Sequence, residues 1–465
     1  MTSRRSIWTL AIVSIALFMV TLDNLVVTTA LPSIRADLSA SIEGLEWTVN
    51  GYTLAFAVLL LTGAALGDRF GRRRMFVIGL GIFTLASAGA ALAPSTGALI
   101  AARAVQGLGA AIVAPLTLTL LSTAFPAEKR GIALGIWSGV SGLGVALGPV
   151  VGGAVIDGIS WQWIFWLNVP IGLALAPVAA RVLRESHGPA RRLDLGGLVL
   201  ASAGLLGLTF GIVRGNGQGW TSTEILGSLI AGALLIVAFV IWELRQKEPM
   251  LPMRFFRSRA FSATNGVSLA MYFGIFGSIF LLAQFFQSVQ GYSPLEAGLR
   301  TLPWTGMPML VAPLAGAFSD RIGSRPLMAA GLALQAIALV WIHQVNAVDV
   351  AYGLLVPGFV MGGTGMALVF APAANAVLSA VRPEEAGQAS GATNAIRELG
   401  GVLGVAVLAS VFSGAGGFES GEAFIAGLDP ALLVGAAVLA LGAIAALFVP
   451  GRKAAPSGAA VPVPA

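Results

Sequence analysis

Two ionisable residues stand inside apolar stretches of the chain. Asp23 lies in FMVTLDNLVV and Arg103 in LIAARAVQGLGAA. A carboxylate in a hydrocarbon environment has to be protonated, paired with a cation or hydrated. Burial favours the protonated form of such an acid, whereas a nearby arginine favours the charged form. A site that alternates between these two conditions binds and releases a proton, so proton transfer is the chemistry that these residues predict.

The elements that would hold these residues are membrane-spanning helices. The chain has 465 residues, of which 57% are hydrophobic and only 10% are charged, whereas a soluble domain is about a quarter charged. Apolar segments of about 20 residues, long enough to cross a membrane, recur along the chain. We predict fourteen spans, over residues 7–31, 46–67, 75–92, 97–124, 131–156, 163–180, 195–213, 225–241, 261–286, 297–318, 327–342, 352–378, 387–412 and 431–449.

The composition also argues against several functions. The chain has no cysteine, which excludes disulfides and thiolate metal sites, and its two histidines are too few for a histidine-based metal cluster. The phosphate-binding pattern GxxxxGK[ST] does not occur. We therefore predict that the protein is not an enzyme and that it needs no metal or other cofactor.

The net charge of +6 is explained by orientation in a membrane rather than by a nucleic-acid partner. With the N-terminus placed in the cytoplasm, most of the 27 lysines and arginines fall in cytoplasmic segments. Only Arg35 and Arg214 fall outside, and Arg103, Arg300 and Arg397 lie within spans. This asymmetry is typical of membrane proteins. We predict a multi-pass protein of the plasma membrane with both termini in the cytoplasm.

The chain contains an internal repeat. The segment GDRFGRRR follows span two, and the similar SDRIGSRP follows span ten. The matched residues are Asp68 with Asp320, Arg69 with Arg321 and Gly71 with Gly323. Glycines with identical spacing run along spans five and thirteen, namely Gly131, Gly135, Gly144 and Gly148, and Gly387, Gly391, Gly400 and Gly404. Spans one to six therefore repeat as spans nine to fourteen, as in many secondary transporters, whose binding site lies between the repeats.

The repeat predicts four regions. Residues 1–186 form a six-span bundle, residues 187–257 a two-span insertion and residues 258–450 a second six-span bundle. The tail, residues 451–465, is rich in proline, alanine and glycine and is expected to be disordered in the cytoplasm. The predicted fold class is an all-α polytopic membrane protein with two six-helix bundles and two inserted transmembrane helices.

Five segments of the chain resemble those of one family. They are LDNLVVTTALP at residues 22–32, AALGDRFGRRR at 64–74, LIAARAVQGLGAA at 99–111, GVALGPVVGG at 144–153 and WQWIFWLNVPIG at 161–172. In this order, and at these spans, the chain resembles the major facilitator superfamily, specifically its fourteen-span drug:proton antiporters. The resemblance covers about residues 5–450 and implies the major facilitator fold.

The resemblance implies that Asp23 carries the proton and that Arg103 tunes it. At 1.5 Å per residue, Asp23 lies roughly 12 Å from the outer end of span one, and Arg103 roughly 9 Å from the outer end of span four. The similar depths predict that the two side chains meet inside the first bundle. The alternative is a static ion pair that braces spans one and four, with Arg103 extended toward the surface.

The second bundle has a charged pair of its own in span thirteen, Arg397 and Glu398. Neighbouring residues on a helix point about 100° apart, so we expect Glu398 to face the central cavity and Arg397 to face a neighbouring span. The antiporters that the chain resembles usually have glutamine in place of this glutamate. Glu398 is then a second proton-coupling site or a contact for a cationic substrate. The alternative is a pair that only packs at a helix contact.

Small residues line span five. Glycines four residues apart let helices approach closely, and a proline removes a backbone donor and bends the helix. By resemblance this stretch is the antiporter motif, which would support rocking of the halves and seal them against proton leak; plain helix packing is the alternative. The motif residues are Gly144, Gly148, Pro149, Gly152 and Gly153.

The two matched loops are, by resemblance, cytoplasmic latches. Their aspartates would pair with an arginine or a helix N-terminus in one conformation and release it in another. The alternative is that the arginines of these loops only set the topology. The latch residues are Asp68, Arg69, Gly71 and Arg72 in the first copy, and Asp320, Arg321 and Gly323 in the second.

Aromatic, methionine and amide side chains in spans nine to twelve are candidates for a substrate-binding wall, because such side chains form adaptable pockets. Packing and lipid-facing positions are the alternative for most of them. The candidates are Asn265, Gln284, Gln287, Trp304, Met307 and Phe370.

Together these features predict a monomeric, proton-coupled multidrug efflux antiporter. It would export small lipophilic compounds, cationic ones among them, by alternating access, and its other partners would be protons and membrane lipids. One alternative is an exporter of the same fold for a specific metabolite, antibiotic or lipid. Another is a membrane receptor that does not transport.

Overall fold

The computed structural model describes residues 4–125, 127–187, 194–381 and 386–450. These residues form sixteen α-helices, with no β-strand among them, so the predicted helical class is confirmed. A 3-10 turn, Met253–Arg257, precedes the tenth helix, and a π-helical turn, Phe285–Val289, follows it. The helices are α1 Arg4–Leu38, α2 Ile42–Phe70, α3 Arg72–Ala91, α4 Thr96–Ala124, α5 Ala127–Gly158, α6 Trp163–Trp166, α7 Asn168–Val182, α8 Leu195–Gln218, α9 Thr223–Arg245, α10 Arg259–Gln284, α11 Pro294–Thr305, α12 Met307–Ile322, α13 Ser324–Val345, α14 Tyr352–Ser379, α15 Ala386–Ala415 and α16 Gly421–Ala446.

Twelve helical segments of the described chain are long and apolar enough to cross a membrane. They correspond to twelve of the fourteen predicted spans, so the protein is a multi-pass membrane protein. The other two predicted spans fall on α5 and on the pair α11 and α12. In α5 the described apolar part is Ala146–Gly158. The predicted disordered tail, residues 451–465, lies outside the described residues.

The span predicted over residues 297–318 consists of two helices in the structure. The segment breaks at Gly306, between α11 and α12. Pro308 has no backbone N–H, so the carbonyl of Trp304 loses its usual helical partner. Glycine at 306 adds a further helix-weakening residue at the same point.

The internal repeat is visible in the packing. In the first half α1 packs against α5 and α3 against α4; in the second half α10 packs against α15 and α13 against α14. The matched loops share a backbone form as well. Gly71 and Gly323 end their helices with φ values of 104° and 87°, which favour glycine, and their N–H groups donate to the carbonyls of Gly67 and Ser319. The exact division into four regions stays a prediction.

The turns between helices define two faces of the molecule. The distal face holds the turns at residues 39–41, 92–95, 159–162, 219–222, 290–293, 346–351 and 416–420. The proximal face holds Gly71, the segment 246–258 and Gly323. Both the first and the last described helix have their outer ends, Arg4 and Ala446, at the proximal face.

Hydrogen bonds join the two halves near the distal face. Gln287 donates from Nε2 to the carbonyl of Thr29 at 2.8 Å. The carboxylate of Asp157 accepts from Ser293 Oγ at 2.6 Å and from the backbone N–H of Leu295 at 3.1 Å. These contacts bind α1 and α5 to the segments of the second half, so the structure has a distal-closed conformation.

The inserted helices α8 and α9 pack against each other, and α8 also contacts α2 and α15, one helix from each half. Arg214 Nε lies 2.6 Å from Glu43 Oε1. On the other side, Asn216 Nδ2 donates to the carbonyl of Ser410 and, at 3.2 Å, to its hydroxyl. The insertion therefore bridges the halves toward the distal face.

Candidate functional site

Asp23 and Arg103 meet in the interior of the first half. The aspartate is on α1 and the arginine on α4, and Arg103 Nη1 lies 2.5 Å from Asp23 Oδ2. The two side chains are 0% and 1% exposed. The structure thus brings together the pair whose depths predicted a contact, and Arg103 does not extend to the surface.

The pair belongs to a larger set of buried hydrogen bonds, the buried network, made of Asp23, Ser87, Arg103, Gln106 and Asn168. The second carboxylate oxygen, Oδ1, accepts from Gln106 Nε2 at 2.8 Å and from Asn168 Nδ2 at 2.7 Å. The Ser87 hydroxyl oxygen accepts from the same two amides at 3.0 and 2.9 Å. Both oxygens of the acid therefore have donors, which offsets the cost of burying it.

The guanidinium of Arg103 is held on several sides. Its Nη1 also donates to Gln106 Oε1 at 2.8 Å, and its Nε donates to the carbonyl of Thr48 at 3.3 Å. Its Cζ lies 4.2 Å from the centre of the Tyr52 ring and 5.7 Å from that of Phe165. These distances allow cation–π attraction, so the arginine is desolvated and yet well partnered.

Close helix packing puts these groups within reach of one another. A Cβ at Gly107 would overlap the carbonyl of Tyr52, and one at Gly109 would lie 2.6 Å from the backbone nitrogen of Phe83. Glycine at these two positions lets α4 lie backbone to backbone against α2 and α3. Tyr52, and Ser87 one turn after Phe83, are thereby carried to the polar side chains of α4.

A break in the sixth predicted span positions Asn168. α6 ends at Trp166 and α7 begins at Asn168, with Leu167 between them. Pro170 has no N–H, so the carbonyl of Trp166 lacks its helical partner, which explains the break. The amide of Asn168 lies in the first turn of α7 and reaches the carboxylate of Asp23.

Three members of the buried network, Ser87, Gln106 and Asn168, were not singled out from the sequence. Gln106 follows Arg103 by three residues, which places both on one helix face, and Asn168 lies inside the quoted WQWIFWLNVPIG. Those two had a usable signal. Ser87 had none, because a serine among the small residues of span three is an ordinary packing residue.

The charged pair of the second half is arranged differently. Arg397 and Glu398 are 7% and 9% exposed, and within the described chain neither has an ion-pair partner. Arg397 Nη1 donates to Asn394 Oδ1 at a long 3.5 Å, and its Cζ lies 4.8 Å from the centre of the Phe370 ring on α14. Its Nε and Nη2, and Glu398 Oε2, have no hydrogen-bond partner.

The glycines of the antiporter motif lie at two helix contacts. Gly144, Gly148 and Gly152 face α1; a Cβ at Gly148 would lie 2.9 Å from Leu25 Cβ, and one at Gly152 2.6 Å from Val26 Cγ2. The second contact joins the halves. A Cβ at Gly153 would overlap the carbonyl of Pro294 at the start of α11, and one at Gly298 would overlap the carbonyl of Pro149. Close packing between helices is thus the direct effect of the motif.

The first latch loop pairs within itself. Asp68 Oδ1 lies 2.7 Å from Arg72 Nη2, and Arg69 stacks 5.3 Å from the Phe70 ring centre. Glu185, which was not predicted, accepts from the backbone N–H groups of Arg73 at 2.9 Å and Arg74 at 3.2 Å and so caps the N-terminus of α3.

The second latch loop repeats the backbone form of the first. Ser319 and Ser324 share a hydrogen bond of 2.9 Å across Gly323. Arg321 lies in the last turn of α12, where it is exposed. The side chain of Asp320 lies outside the described part of the structure.

In the described part of the chain, no hydrogen bond or ring contact joins one predicted substrate-wall residue to another. Gln287 bonds to the first half, as given above. Asn265 and Gln284 each donate to the carbonyl four residues earlier, and Trp304 is buried against Phe359 with 6.0 Å between ring centres. Phe370 is 36% exposed, and Met307 lies beside Gly363.

The many-span helical fold, its two repeated halves and its buried ionic network define a membrane transporter. Residues 13–405 and 265–463 match the Major Facilitator Superfamily, and the chain belongs to this superfamily. The protein is therefore a transporter and not an enzyme. The resemblance to the superfamily is confirmed, and its fourteen-span branch stays a prediction.

Three relatives are similar over most of their length. The chain is 37% identical to the Tetracenomycin C resistance and export protein of Streptomyces glaucescens over 404 residues, 86% of this chain and 74% of the relative. It is 36% identical to the Multidrug resistance protein Stp of Mycobacterium tuberculosis, over 88% and 76% of the two chains. It is 41% identical to the Cephamycin export protein CmcT of Amycolatopsis lactamdurans, over 88% and 86%.

Solved structures agree with the fold. A POT family transporter in complex with 5-aminolevulinic acid matches with a TM-score of 0.69 and 14% identity, over 94% of each chain. The xylose transporter XylE from E. coli, in a partially occluded inward open conformation, matches with a TM-score of 0.64 and 16% identity, over 97% and 100%. At these identities the likeness establishes the fold alone.

Proposed function

We propose that this protein is a proton-coupled antiporter that exports small lipophilic compounds from the cell by alternating access. The observation that carries the proposal is the fully buried carboxylate of Asp23, paired with Arg103 at 2.5 Å. An ionisable residue inside a membrane protein usually serves function. The names of the three relatives, which describe export or drug resistance, support the direction of transport.

The proposal includes the topology. α5 and the broken pair α11 and α12 cross the membrane together with the twelve apolar segments, which gives fourteen spans. The proximal face, which holds both described ends of the chain, is cytoplasmic, because most of the positive charge lies there. The protein works as a monomer in the plasma membrane, built from the four regions predicted above.

Proton coupling takes place at the buried network. Opening of the distal face admits a proton to Asp23, and the neutral acid loses its charge-assisted bonds to Arg103, Gln106 and Asn168. The contacts among α1, α4 and α7 then weaken, and release of the proton at the proximal side restores the network that this distal-closed structure contains. A proton that moves inward through 100 mV supplies about 2.3 kcal/mol, so no cofactor is needed.

The remaining motif residues assist the movement. Gly144, Gly148 and Gly152 keep α5 against α1, while Gly153 allows the distal contact with α11. In the loops, Asp68 and its copy Asp320 exchange partners as the proximal face opens and closes. Glu398 is a second proton site, and its carboxyl oxygen without a hydrogen-bond partner supports this role.

A second candidate is an exporter of the same mechanism for one specific antibiotic or metabolite. Two relatives are named for a single compound, tetracenomycin C and cephamycin, and this favours the candidate. A membrane receptor without transport is favoured by no feature of the site.

Gradient-driven efflux from vesicles tests the proposal. Purified protein is reconstituted into liposomes that contain ethidium or fluorescein. Efflux of the dye is compared with and without an acidic outer medium. We expect the proton gradient to accelerate efflux of at least one dye by wild type but not by Asp23→Asn, whereas dye exchange at equal pH persists in the variant.

Asp37→Asn is the matched control. Asp37 is on the same helix as Asp23, but it is exposed and accepts from Trp161 Nε1 at 2.8 Å near the distal face. Gradient-driven efflux should therefore be unchanged in this variant. Undiminished driven efflux by Asp23→Asn would remove the buried network from the coupling mechanism.

A further inference from the structure

Arg397 has one whole edge of its guanidinium without a hydrogen-bond partner. The side chain is more than nine-tenths buried, and its two donors without a hydrogen-bond partner are Nε and Nη2. In an arginine these two nitrogens point their N–H bonds in the same direction, along the edge that binds a carboxylate through two parallel bonds. A buried charge with no such partner is costly, so this edge is a feature that needs an explanation.

An aromatic wall stands beside this edge. The Phe370 ring lies 4.8 Å from Cζ of Arg397. Tyr272 stacks near Phe370 with 6.4 Å between ring centres and an interplanar angle of 30°, and it stacks on Phe276 at 5.5 Å and 19°. Phe370 is exposed, whereas Tyr272 and Phe276 are partly buried. The three rings therefore form one apolar cluster, the aromatic wall, in which Phe370 is exposed.

The location also fits a substrate. The rings come from α10 and α14, and the guanidinium comes from α15, three helices that pack together in the second half. α15 also packs against α2 of the first half, where a Cβ at Gly391 would lie 2.7 Å from Leu61 Cδ2. The cluster thus borders the contact between the halves, which is where transporters built from repeats bind substrates.

We propose that Arg397, Phe370, Tyr272 and Phe276 form an anion subsite for substrates that carry an acidic group on an aromatic ring system. The acidic group, a carboxylate, sulfonate or ionised phenol, accepts from Nε and Nη2 of Arg397. The rings of the substrate stack on the aromatic wall. This inference rests on the proposed export function and narrows its substrate class.

The subsite changes one expectation drawn from the sequence. A cationic compound in this place would meet the positive charge of Arg397, and no acid of the described chain forms an ion pair that would neutralise it. Glu398, the residue next to Arg397, is an acid that could attract such a compound. The charge preference of binding therefore decides between the two side chains.

Three probes with the same ring system test this preference. They are pyrenebutyrate, its methyl ester and a pyrenebutyl trimethylammonium salt, which carry a negative, a zero and a positive charge. Binding to purified full-length protein in nanodiscs is followed by pyrene fluorescence, without any proton gradient. We expect wild type to bind the anion at least about tenfold more tightly than the other two, which is about 1.4 kcal/mol.

Two substitutions test whether Arg397 causes the preference for the anionic probe. Arg397→Gln should remove it, and Arg397→Lys, which keeps the charge but loses the parallel donors, should retain only part of it. Arg300→Gln is the control, because Arg300 also stacks on an aromatic ring, Tyr292 at 3.5 Å, but lies at the distal end of the second half. It should leave the preference unchanged, and thermal unfolding of each variant shows whether it is folded.

The contrary results are distinct. Equal or tighter binding of the cation by wild type, no binding of any pyrene, or an undiminished preference in folded Arg397→Gln or Arg397→Lys would each overturn the subsite. Asp23→Asn should bind the anion as wild type does. If the anion preference is found while driven efflux does not depend on Asp23, the subsite stands and the proposed coupling falls.

Discussion

Among the described residues, each half of the molecule buries one arginine, and the two arginines have opposite surroundings. Arg103 of the first half has an acid at 2.5 Å, a backbone carbonyl, an amide oxygen and two aromatic rings around it. Arg397 of the second half has a weak contact with Asn394, one ring at 4.8 Å and two nitrogens without a partner. Arg103 lies on α4, whose counterpart in the repeat is α14, whereas Arg397 lies on α15. The repeat has therefore preserved the helices but not the position of the buried charge.

This difference separates two tasks. A saturated polar network exchanges its bonds only when a proton neutralises one of its members, which suits coupling to a gradient. A guanidinium with a free edge can accept a ligand without first breaking a bond, which suits substrate binding. Both tasks are proposals, and they predict different consequences for matched substitutions in the two halves.

The largest difference is expected for stability. Arg103→Gln leaves the carboxylate of Asp23 buried without its cation, and removal of one partner from a buried pair costs about 3–5 kcal/mol. Arg397→Gln removes a buried charge that has no ion-pair partner among the described residues, and it should not lower stability at all. Apparent melting temperatures of the two variants in the same detergent measure the contrast. Equal losses would mean that the two arginines are held alike.

A smaller difference is expected for the supporting amides. Asn168→Ala deletes a donor at 2.7 Å from the Asp23 carboxylate, and loss of a bond to a buried charged group costs about 1–3 kcal/mol. Asn394→Ala deletes only the contact of 3.5 Å with Arg397 and should change stability by less than about 0.5 kcal/mol. Thermal unfolding again provides the measurement, and the reverse order would contradict the comparison.

The antiporter glycines sharpen the comparison at the contact between the halves. In the repeat, Ala409 of α15 occupies the position that corresponds to Gly153 of α5. Alanine is thus tolerated in the second half, whereas a Cβ at Gly153 would overlap the Pro294 carbonyl. Gly153→Ala should weaken the distal closure by about 1 kcal/mol or more. Gly158→Ala is the control, because no atom lies within 4 Å of its added Cβ.

Labelling of an introduced cysteine reports this closure. The chain has no cysteine of its own, so Thr29→Cys places a single thiol at the buried distal contact. A membrane-impermeant maleimide should react severalfold faster when Gly153→Ala is added, and at an unchanged rate when Gly158→Ala is added. Equal labelling in all three proteins would show that Gly153 does not control the distal contact.

The smallest effect is expected at the inserted helices. Arg214 and Glu43 form an ion pair of 2.6 Å, but both side chains are more than a third exposed. Such pairs contribute less than about 1 kcal/mol. Arg214→Gln should therefore lower the melting temperature only slightly, and less so at high salt, where screening already weakens the pair. A loss as large as that of Arg103→Gln would give the insertion a structural role comparable to that of the buried network.

The sequence predicts the helical class, the repeat and the meeting of Asp23 with Arg103, because a charge in an apolar run is conspicuous and its depth follows from helix geometry. The break at Gly306 was missed, since the apolar run continues across it and only the spacing of Pro303 and Pro308 marks it. Helical geometry predicts that the side chains of Arg397 and Glu398 point in different directions. It does not predict the neighbours of each, because these depend on how α15 is rotated in the bundle, and packing determines that rotation.

The polar members of the buried network can be predicted from the sequence only in part. Gln106 and Asn168 carried a positional signal, whereas Ser87 is recognisable only once Gly107 and Gly109 have brought α4 against α2 and α3. Glu185 was missed for a related reason. A glutamate in a basic connector gives no sign that it caps α3 more than a hundred residues earlier in the chain.

The central claim is that substrate leaves in exchange for a proton that passes through Asp23, and proton movement itself tests it most directly. A pH-sensitive dye is enclosed in liposomes with a substrate that wild type exports, and the outer substrate is then diluted without an imposed pH gradient. The account predicts that the lumen acidifies as substrate leaves through wild type, and that Asp23→Asn still exchanges substrate with no change of pH. Acidification of the same size in Asp23→Asn would contradict it.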